Sequence, residues 1–352
     1  MPDMNGDTAS DPNPETAGHR LSAGLTIGGR VVVRYRLEEG SDASATDFVG
    51  ELIARNDDFL IVDTRTERVK LIRADVIAAK DVPPPASRAG RPHERVSADD
   101  LEKLMAKGWE PVERGGLGDW ILRAAAGFTG RANSVLPVGD ASLPLDKAID
   151  FCERWYAERD LPTIFQVHGE PGFDVTSVPV GDALLERGYL AGGGRDDWDR
   201  VLVMTGASAA VPPLTIESAP VVADAALSPE WLLAFGEQRP IVPGATEAVL
   251  TGSDGQLFLS IRDEESGRIV ALARMAIHVG WAGIFGVWVH PEHRRRGLAT
   301  TLVSAIAMVA RENAMPAIYL QVSADNAPGV DFWRSLGFDV HHEYTYLVQP
   351  SA

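Results

Sequence analysis

The sequence predicts a mixed α/β fold of the α+β kind, in which a small β-barrel precedes two similar halves that each contain a mixed sheet. Five short β-branched runs follow one another between Arg30 and Ala79, which is typical of a small all-β module. Two later blocks repeat one order of helix and strand patterns, and such repetition indicates an internal duplication. One stretch near the end, Gly286–Thr300, combines a strand, a basic loop and the start of a helix.

Composition limits the classes of protein to which the chain can belong. Its 352 residues carry a formal net charge of −17, which argues against nucleic acid or an anionic membrane as a partner. Cys152 is the only cysteine, so disulfide frameworks and cysteine-based metal sites are excluded and no metal is expected. Residues 1–19 predict a disordered tail, and no apolar run reaches the roughly 18 residues needed to cross a bilayer. These features predict a cytoplasmic protein.

The first folded module is expected over residues 20–82. Its strand runs are separated by short turns, and strands so closely spaced predict a small closed barrel that resembles SH3-like barrels. A docking or stabilising role is the simplest expectation for such a module. Residues 83–96 contain three consecutive prolines and predict a stiff linker. The predicted strands are Arg30–Leu37, Phe48–Ala54, Phe59–Thr64, Val69–Ile72 and Val76–Ala79.

Two α/β halves are predicted after this linker, and they share one order of elements. Each has an amphipathic helix, then an apolar strand, then a short helix that ends at a glycine. A duplication inside one chain is consistent with a monomer. The predicted bounds are 97–205 for the N-terminal half, 206–213 for a second linker and 214–352 for the C-terminal half. The predicted elements are 145–158, 163–167 and 182–187 in the first half, and 298–310, 318–322 and 329–336 in the second. The matching blocks are 145–167 with 302–322, and 182–189 with 331–338.

The basic-loop segment, Gly286–Thr300, has the local order of an anion-binding site. An apolar strand breaks at Pro291, and a helix with one apolar face follows. Unpaired backbone N–H groups at a helix start, together with the helix dipole, favour an anion there. The N-terminal half has Val138–Ser142 at this place and lacks the basic loop. A solvated run of surface arginines is the alternative interpretation of Arg294–Arg296.

Three well-known motifs do not fit this segment. A nucleotide P-loop needs Gly-Lys-Ser/Thr, and a dinucleotide fingerprint needs more than the single glycine of this loop. His290-Pro291-Glu292 matches the beginning of a zinc deaminase signature, but the paired cysteines of that signature cannot exist in a chain with one cysteine. Another kind of anion site is therefore needed.

A wider set of residues gives the segment a family context. Arg294-x-x-Gly297-x-Ala299 follows Val-x-Pro at a strand end, and Asn326 and Leu336-Gly337-Phe338 follow at fitting distances. With these motifs, residues 214–348 resemble the GCN5-related N-acetyltransferase (GNAT) family. An SH3-like barrel, a half without the basic loop and a half with it, in this order, resemble an actinobacterial group described as histone-acetyltransferase-like. The resemblance implies tandem GNAT-like halves, of which the C-terminal one is catalytic.

The resemblance also implies that acetyl-CoA is the co-substrate and that a primary amine of a small molecule or protein accepts the acetyl group. The pyrophosphate would lie at the helix start beside the arginines, and strand Val287–Val289 would pair with the pantetheine arm and polarise the thioester carbonyl. Asn326 would bond that arm, unless it is a helix cap. Trp333 stands where the family often has a tyrosine acid, and an indole cannot take that role. The implied acetyl-CoA residues are Val287, Trp288, Val289, Arg294, Arg295, Arg296, Gly297, Leu298, Ala299, Thr300, Asn326 and Trp333.

The residues that move protons and hold the acceptor stay open at this level. Attack by an amine needs a base for the ammonium and an acid for the CoA thiolate. Polar residues around Gly127–Gly130 are predicted to line a substrate cleft, or alternatively to form a turn with local bonds. A non-catalytic protein that senses acyl-CoA or binds a partner is the alternative function. The catalytic candidates, each otherwise a surface, cap or strand residue, are His278, His290, Glu237, Glu247, Tyr344 and Tyr346. The substrate candidates are Trp120, Arg123, Arg131, Asn133 and Ser134.

Overall fold

The computed structural model describes residues 25, 27–37, 44–56, 58–64, 67–81, 93, 95–192, 199–215 and 217–350. The predicted tail and nearly all of the predicted proline-rich linker lie outside these residues. The chain divides into two compact units, residues 1–88 and residues 89–352. Both predicted α/β halves therefore belong to one compact unit, while the predicted domain bounds stay predictions.

The first unit is an antiparallel sheet of five strands in the order β4-β3-β2-β1-β5. Valine and leucine side chains that alternate along the strands, among them Val31, Val33, Leu52 and Leu60, form its core. The prediction of a closed barrel is wrong: β4 and β5 are the two edges, and no ladder joins them among the described residues. Closure would need a ladder between β4 and β5. After the short turn that follows β4, however, the chain crosses to the opposite edge of the sheet, where β5 pairs with β1. The strands are β1 Arg30–Arg36, β2 Ala45–Arg55, β3 Phe59–Thr64, β4 Arg68–Ile72 and β5 Val76–Asp81.

The second unit contains helices on both faces of one large mixed sheet. The N-terminal half contributes α1 Ala98–Gly108, β6 Glu113–Leu117, β7 Trp120–Ala124, β8 Val135–Leu136, α2 Leu145–Ala157, β9 Ile164–Gly169, α3 Pro179–Glu186, β10 Leu190–Ala191 and β11 Val201–Ala207. The C-terminal half contributes β12 Val222–Asp224, α4 Pro229–Gly236, α5 Ala245–Thr251, β13 Gln256–Arg262, β14 Ile269–His278, β15 Trp281–Val289, α6 Leu298–Glu312, β16 Ala317–Ser323, α7 Ala327–Ser335 and β17 Asp339–Val348.

Elements with a strong period are confirmed, and short or glycine-rich ones were not predicted. The predicted helix 145–158 and strand 318–322 agree with α2 and β16 within one residue. Strand β6 was not predicted because it contains Gly115-Gly116, and glycine weakens a strand pattern. Helices α4 and α5 were not predicted because each is only about two turns long, too short to display a period.

Strands from the two halves alternate at the centre of the large sheet. Within the described residues its order is β12-β13-β14-β15-β16-β11-β17-β9-β8-β7-β6, with β10 also paired to β17. Strand β11 of the N-terminal half lies between β16 and β17, and β17 in turn pairs with β9 of the N-terminal half. Each half has one parallel pair, β8 with β9 and β15 with β16, which agrees with the predicted duplication. The two halves thus share a single sheet.

Side chains alternate between the two faces of the C-terminal strands, and each face has its own core. Ile284 and Leu320 pack with the apolar side of α6 and with Phe338. Their neighbours Phe285 and Tyr319 belong to a second cluster with aromatic residues of α4 and of the segment after α1. Because successive strand residues point to opposite faces, α6 and α7 cover one face while α1, α4 and α5 cover the other.

Candidate functional site

The parallel strands β15 and β16 separate halfway along their length. Their ladder runs only from Trp281 opposite Ala317 to Ile284 opposite Leu320. Strand β15 then continues to Val289, while β16 continues beside β11. The edge of β15 that faced β16 is therefore free of that partner from Phe285 onward. Such an edge offers backbone N–H and C=O groups to an extended ligand.

A β-bulge lies where the two strands separate. The register between β14 and β15 shifts after the Leu272–Trp288 pair, so that Arg274 stands opposite Phe285. Gly286 has a φ of 60°, and a Cβ on it would lie 3.2 Å from the Phe235 ring. The Gln238 side chain, just after α4, donates a hydrogen bond to the Gly286 carbonyl at 3.2 Å. The bulge turns backbone groups out of the ladder, and Gln238 holds it there.

The N-terminus of α6 follows at the end of β15. Gly297 caps it in the left-handed region, at φ 79°, without a side-chain cap. The first helical bond runs from Thr301 N–H to the Gly297 carbonyl, so the N–H groups of residues 298–300 point out of the helix end. The side chains of Arg294, Arg295 and Arg296 are exposed. This geometry fits an anion, as the sequence predicts.

The other two predicted acetyl-CoA residues have clear structural roles. Asn326 is exposed and caps α7, where its side-chain oxygen accepts a hydrogen bond from Gly329 N–H at 3.1 Å. Trp333 is buried, and its ring contacts Phe332 and Phe338 in the core beneath α7. A contact of either side chain with a ligand stays a prediction.

Of the catalytic candidates, Tyr344 lies beside the separated strands. Its hydroxyl donates to Gln321 Oε1 at 2.8 Å, and Gln321 is the first β16 residue beyond the β15 ladder. Burial raises the pKa of Tyr344 well above its ordinary value, so this phenol is protonated at neutral pH. Its neighbour Tyr346 is also buried, and the two rings meet edge to face.

The remaining catalytic candidates lie elsewhere. His278, at the far end of β14, is bonded to the Tyr319 hydroxyl at 3.0 Å, and burial lowers its pKa to about 4. The ring of His290 accepts from the Glu292 N–H as a local cap. Glu237 forms a surface ion pair with Arg268 at 3.1 Å, and Glu247 caps α5 by accepting from Gly244 N–H.

Arg131 is the one substrate candidate that we find at the separated strands. Its Nη1 donates to Gln321 Oε1 at 2.9 Å, so that Arg131 and Tyr344 share one acceptor atom. The guanidinium lies 5.3 Å from the centre of the Trp109 ring and 5.7 Å from that of Phe285. An N-terminal-half side chain is thus part of the surroundings of the C-terminal site.

The other four substrate candidates stabilise the N-terminal half. Asn133 accepts hydrogen bonds from two backbone N–H groups and donates to two carbonyls, which is the alternative turn structure. Arg123 is buried and donates to Ser134 and to Gln166. Trp120 packs edge to face on Phe165, away from the separated strands.

Two buried charged groups, Glu102 and Arg274, are not among the residues predicted from the sequence. Glu102 on α1 accepts from Gln166 at 2.8 Å and lies 3.0 Å from His342 on β17, so it links both halves. Burial raises its pKa, but the hydrogen bond and charge of His342 outweigh this and lower the pKa overall. Glu102 falls on the same helical stripe as Met105 and Trp109, and a carboxylate within an apolar stripe was the available signal.

Arg274 is the second missed group and lies at the bulge. It is fully buried and donates to the carbonyls of Leu250 and Gly108 and to Ser253. Its guanidinium lies 5.4 Å from the Trp109 ring centre, and burial lowers its pKa to about 10. A lone arginine within the apolar run Ile269–His278 was the signal for it.

The N-terminal half has carboxylates where the C-terminal half has arginines. Gly139 N–H donates to Asp99 at 3.0 Å, and Asp140 N–H donates to Asp119 at 3.0 Å. Asp99 also pairs with His168 at 2.8 Å. Asp99, Gly139, Asp140 and His168 border a cavity of about 450 Å³ that Trp120 also lines. The loop N–H groups that would meet an anion are therefore already bonded to side chains.

No group of three or more His, Cys, Asp or Glu side chains in the described residues is arranged to hold a metal ion. In the same residues, no helix combines the length and the apolar character needed to cross a bilayer.

Comparison with known proteins identifies the family. Residues 98–347 match the family model described as "Probable histone acetyltransferase Rv0428c C-terminal", and residues 25–80 match "Rv0428c N-terminal Sm-like domain". An uncharacterized N-acetyltransferase of Bacillus subtilis (strain 168), YobR, is 24% identical over 260 residues, which are 71% of this chain and 97% of YobR. The probable histone acetyltransferase Rv0428c of Mycobacterium tuberculosis is 36% identical over 136 residues, which are 38% of this chain and 42% of that protein.

A solved structure shows the same fold. The GCN5-related N-acetyltransferase from Kribbella flavida superposes with a TM-score of 0.51 at 16% identity, over 72% of this chain and 96% of its own. The first family model covers more than half of the 352 residues of the chain. The chain therefore belongs to the family of N-acetyltransferases that the Rv0428c C-terminal model describes.

Proposed function

We propose that this N-acetyltransferase uses acetyl-CoA and transfers the acetyl group to a primary amine of a small molecule or protein. The observation that supports the proposal best is the separation of β15 from β16, which leads to the N-terminus of α6. A pantetheine arm has the length and the amide groups to pair with the free edge of Phe285–Val289. Its pyrophosphate would then meet the N–H groups of residues 298–300 and the arginines before them.

The acetyl group would lie at the bulge, on the face that carries Phe285, Gln321 and Tyr344. Backbone N–H groups of the free β15 edge would stabilise the oxyanion as the acceptor nitrogen attacks the thioester carbonyl. The C–N bond forms, the C–S bond breaks, the acceptor nitrogen releases a proton to water, and the CoA thiolate takes up a proton. Tyr344 is protonated and near the bulge, so we assign it this acid role.

Acetyl-CoA binding and CoA release test this proposal. Isothermal titration calorimetry should show binding of acetyl-CoA, and a thiol reagent should detect CoA release when a panel of amines is added. Tyr344→Phe should lower kcat about 10²-fold, in the range of general-acid effects, while the acetyl-CoA Kd stays near that of the wild type.

Each failure has a separate meaning. Absence of acetyl-CoA binding would contradict the donor assignment. Binding without CoA release across a wide panel would instead support the alternative of a protein that senses acyl-CoA. Tyr156→Phe is the control for the loss of a buried phenol elsewhere in the unit, because its hydroxyl donates to the Arg123 carbonyl in the N-terminal half, and it should retain most of the activity.

A further inference from the structure

We propose that Arg131 binds a carboxylate of the acceptor, so that the acceptor is a small amine that also carries a carboxylate. This inference rests on the proposed function, because it concerns the acceptor side of the same site. It gives the N-terminal half, which lacks a basic loop, a direct part in substrate selection.

The position of Arg131 carries the first step. Gln321, to which it donates at 2.9 Å, is the β16 residue that follows the last rung of the β15–β16 ladder. Phe285, whose ring lies 5.7 Å from the guanidinium, is the first β15 residue after the same rung. Arg131 therefore lies at the point where the two strands separate, on the face opposite α6.

The charge of Arg131 carries the second step. Two other half-buried arginines of this unit have carboxylate partners, since Arg187 has Asp150 at 2.9 Å and Arg159 has Glu113, whereas Arg311 is bonded to backbone carbonyls. Among the described residues, no ion pair within 4.0 Å involves Arg131. An incoming carboxylate would therefore not compete with a carboxylate of the described residues for this guanidinium. The second guanidinium nearby, that of Arg274, is bonded to carbonyls and a hydroxyl and adds positive charge.

The donor geometry of Arg131 carries the third step. A guanidinium has five N–H donors, and the contacts among the described residues use one of them, on Gln321. The planar fork matches a carboxylate with two parallel hydrogen bonds, and such charge-assisted pairs are the strong ones. The cation–π contact with Trp109 and the hydrogen bond to Gln321 hold the guanidinium at this place, so that an incoming carboxylate meets a positioned group. An amine attached to that carboxylate is then held near the bulge.

Matched acceptors provide the test. Initial rates are measured with acetyl-CoA and β-alanine, γ-aminobutyrate or ε-aminocaproate, each paired with its carboxamide, for the wild type and for Arg131→Gln. Glutamine keeps a donor for Gln321 but removes the charge. For at least one pair the wild type should prefer the acid, and the variant should lose about 10- to 100-fold in kcat/KM for the acid. For the carboxamide the change should stay within about threefold.

Binding gives a second readout that needs no turnover. Saturation-transfer NMR on the CoA-saturated protein should show tighter binding of the acids than of the carboxamides, and Arg131→Gln should abolish the difference. Arg154→Gln, at an exposed position of α2, is the control for removing an arginine from the same half. Arg131→Lys keeps the charge without the fork and should fall between wild type and Arg131→Gln.

The outcomes separate the two proposals. If amines are acetylated but acids and carboxamides are used and bound alike, or if Arg131→Gln slows both alike, the carboxylate inference is wrong and the proposed function stands. If no amine is acetylated, the proposed function fails, and the NMR comparison alone decides whether Arg131 binds carboxylates.

Discussion

In the second compact unit, residues 89–352, single residues show how much burial and backbone strain lower the stability of the fold. His278 is the clearest titratable case, because burial lowers its pKa from 6.5 to about 4. Between these two values the unfolded chain binds a proton that the folded chain does not, so the free energy of unfolding must fall as the pH decreases from 6.5 toward 4. At pH 5 the loss amounts to about 2 kcal/mol.

His278→Gln should remove this loss, because glutamine does not titrate and can still bond the Tyr319 hydroxyl. Urea unfolding at pH 7 and pH 5, followed by tryptophan fluorescence, measures it. All 8 tryptophans lie at or after Trp109, so the signal reports on this unit alone. An equal decrease in wild type and variant would refute the assignment to His278.

Arg295 adopts a backbone conformation that side chains disfavour. Its φ is 63°, and this left-handed geometry costs a non-glycine residue about 1–2 kcal/mol. Arg295→Gly should therefore raise the melting temperature while it weakens acetyl-CoA binding about tenfold, since a phosphate partner is lost. Calorimetry and thermal unfolding measure both effects.

Arg296→Gly is the matched control, because Arg296 does not have a positive φ. It removes the same charge without relieving strain, so it should lower both affinity and stability. If Arg295→Gly keeps its full affinity for acetyl-CoA, the arginine does not act on the phosphates.

At the level of elements, the bulge of β15 is expected to govern the chemistry. Gly286→Ala places a Cβ at a strained φ of 60° and 3.2 Å from Phe235, so the Phe235 ring or the bulge must give by a few tenths of an ångström. A displacement of about 1 Å near reacting atoms can cost roughly 10²-fold in rate, and we expect a fall in kcat of at least tenfold. Steady-state kinetics with a saturating acceptor measure it.

Gly267→Ala serves as the control for this substitution. Gly267 has a similar φ of 69° in the turn between β13 and β14, and a Cβ there has no atom within 4 Å. Both variants should lose stability to backbone strain, but only Gly286→Ala should lose activity. Equal activity in the two would mean that the bulge has no catalytic part.

Because only the C-terminal half has the basic loop, we expect the whole molecule to bind one acetyl-CoA per chain. In the N-terminal half the loop N–H groups are bonded to Asp99 and Asp119, and these carboxylates also repel phosphate. Calorimetry should give a stoichiometry near one, and replacing Arg294, Arg295 and Arg296 together by glutamine should weaken that single event strongly. A second binding event that survives the triple substitution would show that the N-terminal half also binds the donor.

A structural feature could be predicted from the sequence only where it is formed by neighbouring residues of the chain. The order of strand, glycine loop and helix at 286–300 is local, and the structure has it as predicted. The contact of Arg131 with Gln321 joins residues 190 positions apart, and no periodicity reports on such a pair. Periodicity also does not show that β5 pairs with β1, or that β11 and β17 each pair with a strand of the other half. Strand pairing is set by tertiary packing. The bulge glycine was visible only as a glycine in a strand.

The alternating order of the central strands also decides when a growing chain can fold. Synthesis proceeds from the N-terminus, so β9 and β11 leave the ribosome well before their neighbours β16 and β17 exist. Until Val348 has been made, both early strands keep unpaired edges, and such edges readily pair with other chains. A ribosome paused between Ala207 and Asp339 therefore holds an N-terminal half whose strands have all been made but whose sheet cannot close, and this nascent species is the one that chaperones need to protect.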